Sequence, residues 1–65
     1  MRQGGDSYYV LVNKDGDAYT VDDVFEGKTT LINDTWKEAE NDLEYLLDEG
    51  ELDEADGWHV ERHRW

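Results

Sequence analysis

The 65-residue chain contains no cysteine and no proline. The first absence excludes disulfide bonds and any zinc site built on thiolates. The second removes the residue that most restricts loop conformations, so neither cross-links nor rigid loops stabilise the fold. A chain of this length forms one domain at most and buries only about 60% of the surface that its unfolded form exposes. Its stability must therefore come from a small core, in which three Trp, four Tyr and one Phe supply the largest areas.

Basic residues are also scarce. Six Lys and Arg stand against eighteen Asp and Glu, which gives a formal net charge of −12 at neutral pH. Residues 38–56 contain ten acidic residues and no basic one. Such a charge opposes direct binding to nucleic acid or to an anionic membrane, because both are themselves negative. We therefore expect the partner of this protein to be basic.

Long apolar segments are missing as well. No apolar run reaches the ~20 residues that a membrane-spanning helix needs. The N-terminal sequence MRQGGDSYYVLV lacks the long apolar segment of a secretory signal. We therefore expect no membrane contact and a cytoplasmic location, which would be the host cytoplasm if the protein is viral.

The sequence TWKEAENDLEYLLDE, residues 35–49, predicts an α-helix around which the rest of the chain is organised. Apolar residues recur along it at the three- and four-residue spacing of one helix face, namely at Trp36, Ala39, Leu43, Leu46 and Leu47. Thr35 followed by Glu38 fits a capping box, with Asn33 or Asp34 as the alternative cap. Gly50 suits the left-handed residue that ends a helix.

The segments on either side of this helix predict strands. Residues 8–21, YYVLVNKDGDAYTV, are typical of a β-hairpin with a type I′ turn at Asp15 and Gly16. This turn pairs Val12 with Tyr19. The pairing predicts an apolar face of Tyr8, Val10, Val12, Tyr19 and Val21, and an opposite face of Tyr9, Leu11, Thr20 and Asp22. Residues 58–65, WHVERHRW, alternate with a period of two and predict a last strand.

Residues 22–33 fit two structures. They form either a short third strand, broken at Gly27 with residues 29–32 as its ordered part, or a loop that places Phe25 and Leu31 or Ile32 in the core. We favour the strand. The predicted fold class is α+β, a small single domain in which an antiparallel sheet (β-hairpin, C-terminal strand and a short third strand) packs against one α-helix in the order β-β-(β)-α-β. Residues 1–7 are expected to form a flexible lead-in and residues 8–65 the domain.

Two clusters of metal-ligating residue types were weighed against simpler interpretations. Asn13, Asp15 and Asp17 resemble part of a calcium loop, but a hairpin turn accounts for them and the flanking segments predict strands rather than helices. A second set alternates on the last predicted strand, at His59, Glu61 and His63. Two imidazoles and a carboxylate can hold a transition metal, yet this spacing constrains ligands loosely and a solvated strand face is the favoured interpretation.

Catalytic chemistry finds little support in the sequence. There is no candidate for an activated nucleophile. Carboxylates are too abundant for one pair to be singled out as general acid and base. We therefore predict a protein that is not an enzyme and that has no catalytic residues, no metal site and no cofactor.

The acidic side of the predicted helix is the candidate functional site. Tyr45 stands among carboxylates that recur on one side, with ~5–6 Å between neighbouring Cβ atoms, similar to the spacing of phosphates along a nucleic-acid strand. An aromatic residue among charged ones is typical of a binding hot spot. The predicted partner-binding residues are Glu38, Asp42, Tyr45, Asp48, Glu49, Glu51, Asp53 and Glu54.

The sequence thus favours a small, acidic, non-enzymatic interaction protein that binds a basic protein surface. A nucleic-acid-binding protein is the natural target, and the chain resembles acidic DNA-mimic inhibitors of phage or viral type in kind, without sharing a family motif. The alternative is a small halophile-adapted regulatory or structural domain, whose acidity and low lysine content serve solubility in high salt. A homodimer formed through the edge of the last strand is a third hypothesis.

Overall fold

The computed structural model describes residues 6–65. Its elements are β1 (Ser7–Val12), β2 (Thr20–Asp23), β3 (Gly27–Thr30), α1 (Trp36–Asp48), a short 3-10 helix (Glu54–Asp56) and β4 (His59–Arg64). This order, with one helix packed against antiparallel strands, confirms the predicted α+β fold. Most of the predicted lead-in, residues 1–5, lies outside the described residues. Ser7, which the prediction assigned to the lead-in, is the first residue of β1.

Strand β1 lies at the centre of the fold. It pairs antiparallel with β4 along its whole length, from Ser7 opposite Arg64 to Val12 opposite His59. On its other edge, Tyr9 exchanges two backbone hydrogen bonds of 2.9 Å with Asn33. The pairing of β2 with β3 makes a separate two-stranded ribbon. The predicted third strand is therefore present and pairs with β2, but it spans Gly27–Thr30 and not residues 29–32.

The first turn differs from the predicted type I′ turn. That turn requires positive φ at both central residues. Gly16 has a φ of +88°, but no residue other than glycine has positive φ in the described part of the chain, so Asp15 does not. Instead the N–H of Gly16 donates to the carbonyl of Asn13 at 3.0 Å, and the N–H of Asn13 donates to the carbonyl of Asp17 at 3.0 Å. The connection is therefore a three-residue loop closed by glycine.

The side chain of Asn13 completes this turn. Its Oδ1 accepts the backbone N–H groups of Asp15 at 3.0 Å and Asp17 at 2.9 Å. An asparagine that bonds its own backbone two residues onward is ordinary turn chemistry. These bonds support the interpretation of Asn13, Asp15 and Asp17 as a turn rather than as part of a calcium loop.

The extra loop residue changes the pairing, so the predicted apolar face is wrong. Val12 lies opposite Ala18, not opposite Tyr19. A shift of one residue moves every side chain of a strand to the other face. Leu11, predicted on the outer face, is fully buried against the helix. Val10 is also buried but lies on the other side of β1, so this central strand is covered on both faces.

The core lies between α1 and the β1–β4 sheet. Its buried members are Leu11, Ala39, Leu52 and Val60, and the partly buried residues packed around them are Tyr9, Tyr19, Leu31, Leu43, Leu46, Leu47 and Trp58. The apolar side of the helix therefore faces the sheet as predicted. Trp36 lies at its margin, with its ring edge-on to that of Tyr9 at a centroid distance of 5.9 Å. Trp36 is 46% exposed.

Both predicted ends of α1 are confirmed. The Oγ1 of Thr35 accepts the N–H of Glu38 at 3.2 Å, which makes Thr35 the N-cap. Gly50 has a φ of +81° and donates its N–H to the carbonyl of Leu47 at 3.2 Å. The next N–H, from Glu51, donates to the carbonyl of Leu46 at 2.9 Å. These two bonds satisfy carbonyls that a helix end otherwise leaves unpaired.

Residues 22–33 do not place Phe25 in the core. It lies at the tip of the β2–β3 ribbon and is 95% exposed. Leu31 packs against the core, whereas Ile32 is exposed. The loop alternative was therefore wrong for Phe25. The ribbon holds this side chain in solvent because its two strands pair only with each other over residues 20–30.

Candidate partner-binding surface

The exposed side of α1 carries Tyr45. This tyrosine is 63% exposed. Ala39, on the side that faces the sheet, is fully buried. Glu38, Asp48 and Glu49 are exposed as well. The helix thus presents an aromatic side chain and these carboxylates to solvent, as the apolar periodicity predicted.

Asp42 differs from the other carboxylates predicted on this surface. It is only partly exposed, and its Oδ2 accepts the side-chain N–H of Asn33 at 3.1 Å. Asn33 is also the residue whose backbone pairs with Tyr9 of β1. The bond therefore ties the helix to the edge of the sheet. A substitution of Asp42 would remove this contact as well as a surface charge, which makes it a poor position for testing binding.

The acidic connection after α1 is held by backbone contacts. The Oδ1 of Asp53 accepts the N–H of Ala55 at 3.0 Å and caps the short 3-10 helix. Lys14, in the first turn, donates its Nζ to the carbonyl of Ala55 at 3.3 Å and its backbone N–H to that of Asp56 at 2.9 Å. Both Glu51 and Glu54 are exposed. The connection therefore presents its carboxylates from a defined backbone.

The carboxylates of residues 38–56 have no cationic partner within residues 6–65. The ion pairs of this part of the chain join Lys28 to Asp22 at 3.6 Å, and Glu61 to His59 and His63. Unpaired like charges repel one another and weaken a compact state. A cationic surface brought close to this region would relieve that repulsion.

The C-terminal end of α1 adds to this electrostatic cost. Its last turn has no basic residue, and Asp48 and Glu49 lie there. Negative charge at this end of a helix opposes the dipole by about 0.3–1 kcal/mol per residue. Helix stability alone would favour lysine or arginine at both positions.

A second polar group lies on β4. The Nε2 of His59 lies 3.3 Å from one carboxylate oxygen of Glu61, and the Nε2 of His63 lies 2.9 Å from the other. The Nδ1 of His59 also contacts the carbonyl of Gly57 at 3.0 Å. The three side chains share one side of the strand, as the alternation predicted. Within residues 6–65, no group of three His, Cys, Asp or Glu is arranged to hold a metal ion.

These contacts shift two pKa values. The hydrogen bond to the Gly57 carbonyl, followed by the bond to Glu61, raises the pKa of His59. The hydrogen bonds from His63 and then from His59 lower the pKa of Glu61. The protonated histidine and the ionised carboxylate therefore favour each other.

We expect this group to make stability depend weakly on pH. A raised pKa means that protonated His59 stabilises the fold below its unfolded-state value, and that this contribution is lost as pH rises through the folded pKa. The lowered pKa of Glu61 contributes above its unfolded-state value and is lost as pH falls through the folded pKa. The ordinary pKa values are about 4.3 for glutamate and about 6.5 for histidine. Both contributions to stability are therefore present together at about pH 5 to 6, between these two values.

An NMR titration of a carbon-bound ring proton of His59 measures the pKa of this histidine directly. The pKa should lie above 6.5 in the wild-type protein. It should fall in Glu61→Gln but remain raised, because the Gly57 carbonyl contact persists. A wild-type value at or below the ordinary one would contradict the geometry of this group.

A cavity of about 430 Å³ lies on the side of β1 that faces away from the helix. Val10 and Val12 form part of its wall, with Ile32 and the β4 residues Glu61 and His63. Its rim is aromatic, since the rings of Tyr8 and Trp65 are 4.6 Å apart. Residues of β1, β3 and β4 line this cavity, and because these strands are distant in the sequence, sequence reasoning missed it.

None of the helices in residues 6–65 is long and apolar enough to cross a membrane. No protein-family model, curated protein or solved structure matches the chain. Its function is therefore inferred from its own residues.

Proposed function

We propose that this protein is a small, non-enzymatic interaction protein that binds a basic protein surface through the exposed side of α1 and the acidic connection after it. The observation that carries this proposal is Tyr45, exposed on a capped helix among carboxylates that have no cationic partner within residues 6–65. The partner would supply the missing cations, and Tyr45 would supply contact area and a hydrogen bond at the centre of the interface.

The acidic residues at the end of the helix support this proposal. Asp48 and Glu49 are exposed and weaken the helix that carries them. Neither makes a side-chain hydrogen bond or ion pair within residues 6–65. Charges that cost stability in the free protein become favourable once a basic surface lies against them.

We further propose that the partner is a nucleic-acid-binding protein, whose basic groove the acidic surface occupies as a mimic of DNA. A groove that binds phosphates has closely spaced Lys and Arg. Carboxylates along one side of a helix have a similar spacing, and the helix holds them fixed before binding. Such a protein would act as an inhibitor of phage or viral type in the host cytoplasm.

A competition experiment tests this proposal. The wild-type protein is immobilised at low ionic strength and incubated with the heparin-binding protein fraction of a bacterial lysate. We expect it to retain basic proteins that are released by added salt and also by duplex DNA. Displacement by DNA is the decisive result, because a mimic and the nucleic acid it imitates must compete for one groove. Retention that DNA does not reduce would contradict mimicry.

The halophile alternative also has an observation in its favour. Exposed carboxylates occur far from the helix in sequence, at Asp15, Asp17, Asp22 and Glu26. Acidity spread over the surface is what adaptation to high salt would require. Thermal unfolding in about 0.1 M and 2 M KCl separates the two proposals, because only a salt-adapted chain should need the higher concentration to fold.

A further inference from the structure

The tip of the β2–β3 ribbon exposes two large apolar side chains side by side. Val24 is 94% exposed and Phe25 is 95% exposed. They contribute almost nothing to the core. Adjacent apolar residues in water favour association with another surface. This tip is separate from α1 and is not used by the surface proposed above.

The backbone of the tip is held in place before any partner binds. The Oδ1 of Asp23 accepts the N–H of Phe25 at 2.7 Å and the N–H of Glu26 at 3.1 Å. Gly27 closes the turn with a φ of +81°. A fixed backbone lowers the ordering cost of binding. The ribbon thus holds Phe25 exposed on a fixed backbone before a partner binds.

We propose that Val24 and Phe25 insert into an apolar pocket of the basic partner, as an anchor additional to the acidic helix. This inference rests on the proposed function, since it concerns the same partner. Aromatic side chains that enter a desolvated pocket carry much of the binding energy at protein interfaces, and surrounding charges set the specificity.

The charges around the tip identify the chemistry of its partner. Asp22, Asp23 and Glu26 flank the two apolar residues in the sequence, and Lys28 is paired with Asp22 at 3.6 Å. A pocket lined at its rim by Lys or Arg complements this arrangement. A second copy of the chain would bring two negative tips together, and an anionic membrane would repel them.

Competition between variants tests the inference. The immobilised wild-type protein and the heparin-binding fraction described above are used, and soluble variants compete for the captured protein. We expect Phe25→Ser to need a concentration at least about ten-fold higher than the wild-type protein, because it loses the aromatic anchor. Phe25→Leu should compete almost as well as the wild-type protein, since it keeps an apolar side chain of similar reach. Both variants should keep the wild-type melting temperature, because this position is exposed.

The possible results separate this inference from the proposed function. If Phe25→Ser competes as well as the wild-type protein, the tip is not an anchor, although the acidic surface can still bind. If Phe25→Ser fails and Asp48→Lys with Glu49→Lys competes fully, the tip is an anchor and the helix proposal is wrong. A dimer in sedimentation that Phe25→Ser abolishes would assign the tip to a second copy and overturn the inference. If no protein is retained, both proposals fail.

Discussion

Replacing Asp48 and Glu49 together by lysine is expected to stabilise the free protein and to weaken its binding to the partner. Both side chains are exposed, so the change removes no core contact. Lysine at the C-terminal end of α1 complements the helix dipole, which should raise the free energy of unfolding by about 1 kcal/mol. On the proposed binding surface the same change replaces attraction by repulsion. Affinity should fall at least about ten-fold, mainly through slower association, and should depend less on salt.

A matched variant controls for the overall charge. Asp15→Lys with Asp17→Lys changes the net charge by the same amount. These exposed residues lie in the first turn, which contacts the acidic connection through Lys14 but carries no residue of the proposed surface. Calorimetry or urea unfolding gives the stability of each variant, and surface plasmon resonance against a captured basic protein gives association rates. Equal loss of binding in the two variants would mean that only net charge matters. The proposed helix surface would then be wrong.

Leu11→Ala is expected to lower the free energy of unfolding by about 3 kcal/mol. Leu11 is 0% exposed and is the largest fully buried side chain in the described part of the chain. It packs against Ala39 and Val60 between the helix and the sheet. Native domains of this size have a total stability of only about 3 to 10 kcal/mol. The variant should therefore lose a large share of its stability, and its unfolding midpoint should move to a much lower urea concentration.

Urea unfolding followed by tryptophan fluorescence measures this effect. Val24→Ala is the control, because it also shortens an aliphatic side chain but at an exposed position. Its midpoint should match that of the wild-type protein. If Leu11→Ala lowers the free energy of unfolding by less than about 1 kcal/mol, the side chain is not in the core. The face predicted from the sequence, with Val10 inside and Leu11 outside, would then be the correct one.

The sequence was sufficient for features that depend on neighbouring residues. Thr35 and Gly50 mark the ends of α1 through hydrogen bonds that span three to five residues. The spacing of apolar residues along the helix identified its buried side and therefore the exposure of Tyr45. The alternation of residues 58–65 identified the side of β4 that carries His59, Glu61 and His63. Each of these signals acts within one element, so one element is enough to reveal it.

Only the tertiary structure decided how these elements meet. One additional loop residue before Gly16 made Ala18, not Tyr19, the partner of Val12, and Leu11 rather than Val10 packs against the helix. Phe25 is the largest apolar side chain in residues 22–33, yet a turn closed by Asp23 and Gly27 holds it in solvent. The sequence D-V-F-E-G carried a signal for this turn, an aspartate followed four residues later by glycine.

The same distinction between local pattern and tertiary packing applies to the candidate partner-binding surface. The helical period gave the exposed carboxylates near Tyr45, because it depends on backbone geometry alone. The bond between Asp42 and Asn33, and the contacts of Lys14 with the acidic connection, join residues that are distant in the chain. Contacts of this kind depend on strand register and on the path of the connecting loops. Their energies are shared among several elements. The amino-acid sequence therefore determined the individual elements, and the packing of these elements determined which carboxylates remain unpaired within residues 6–65.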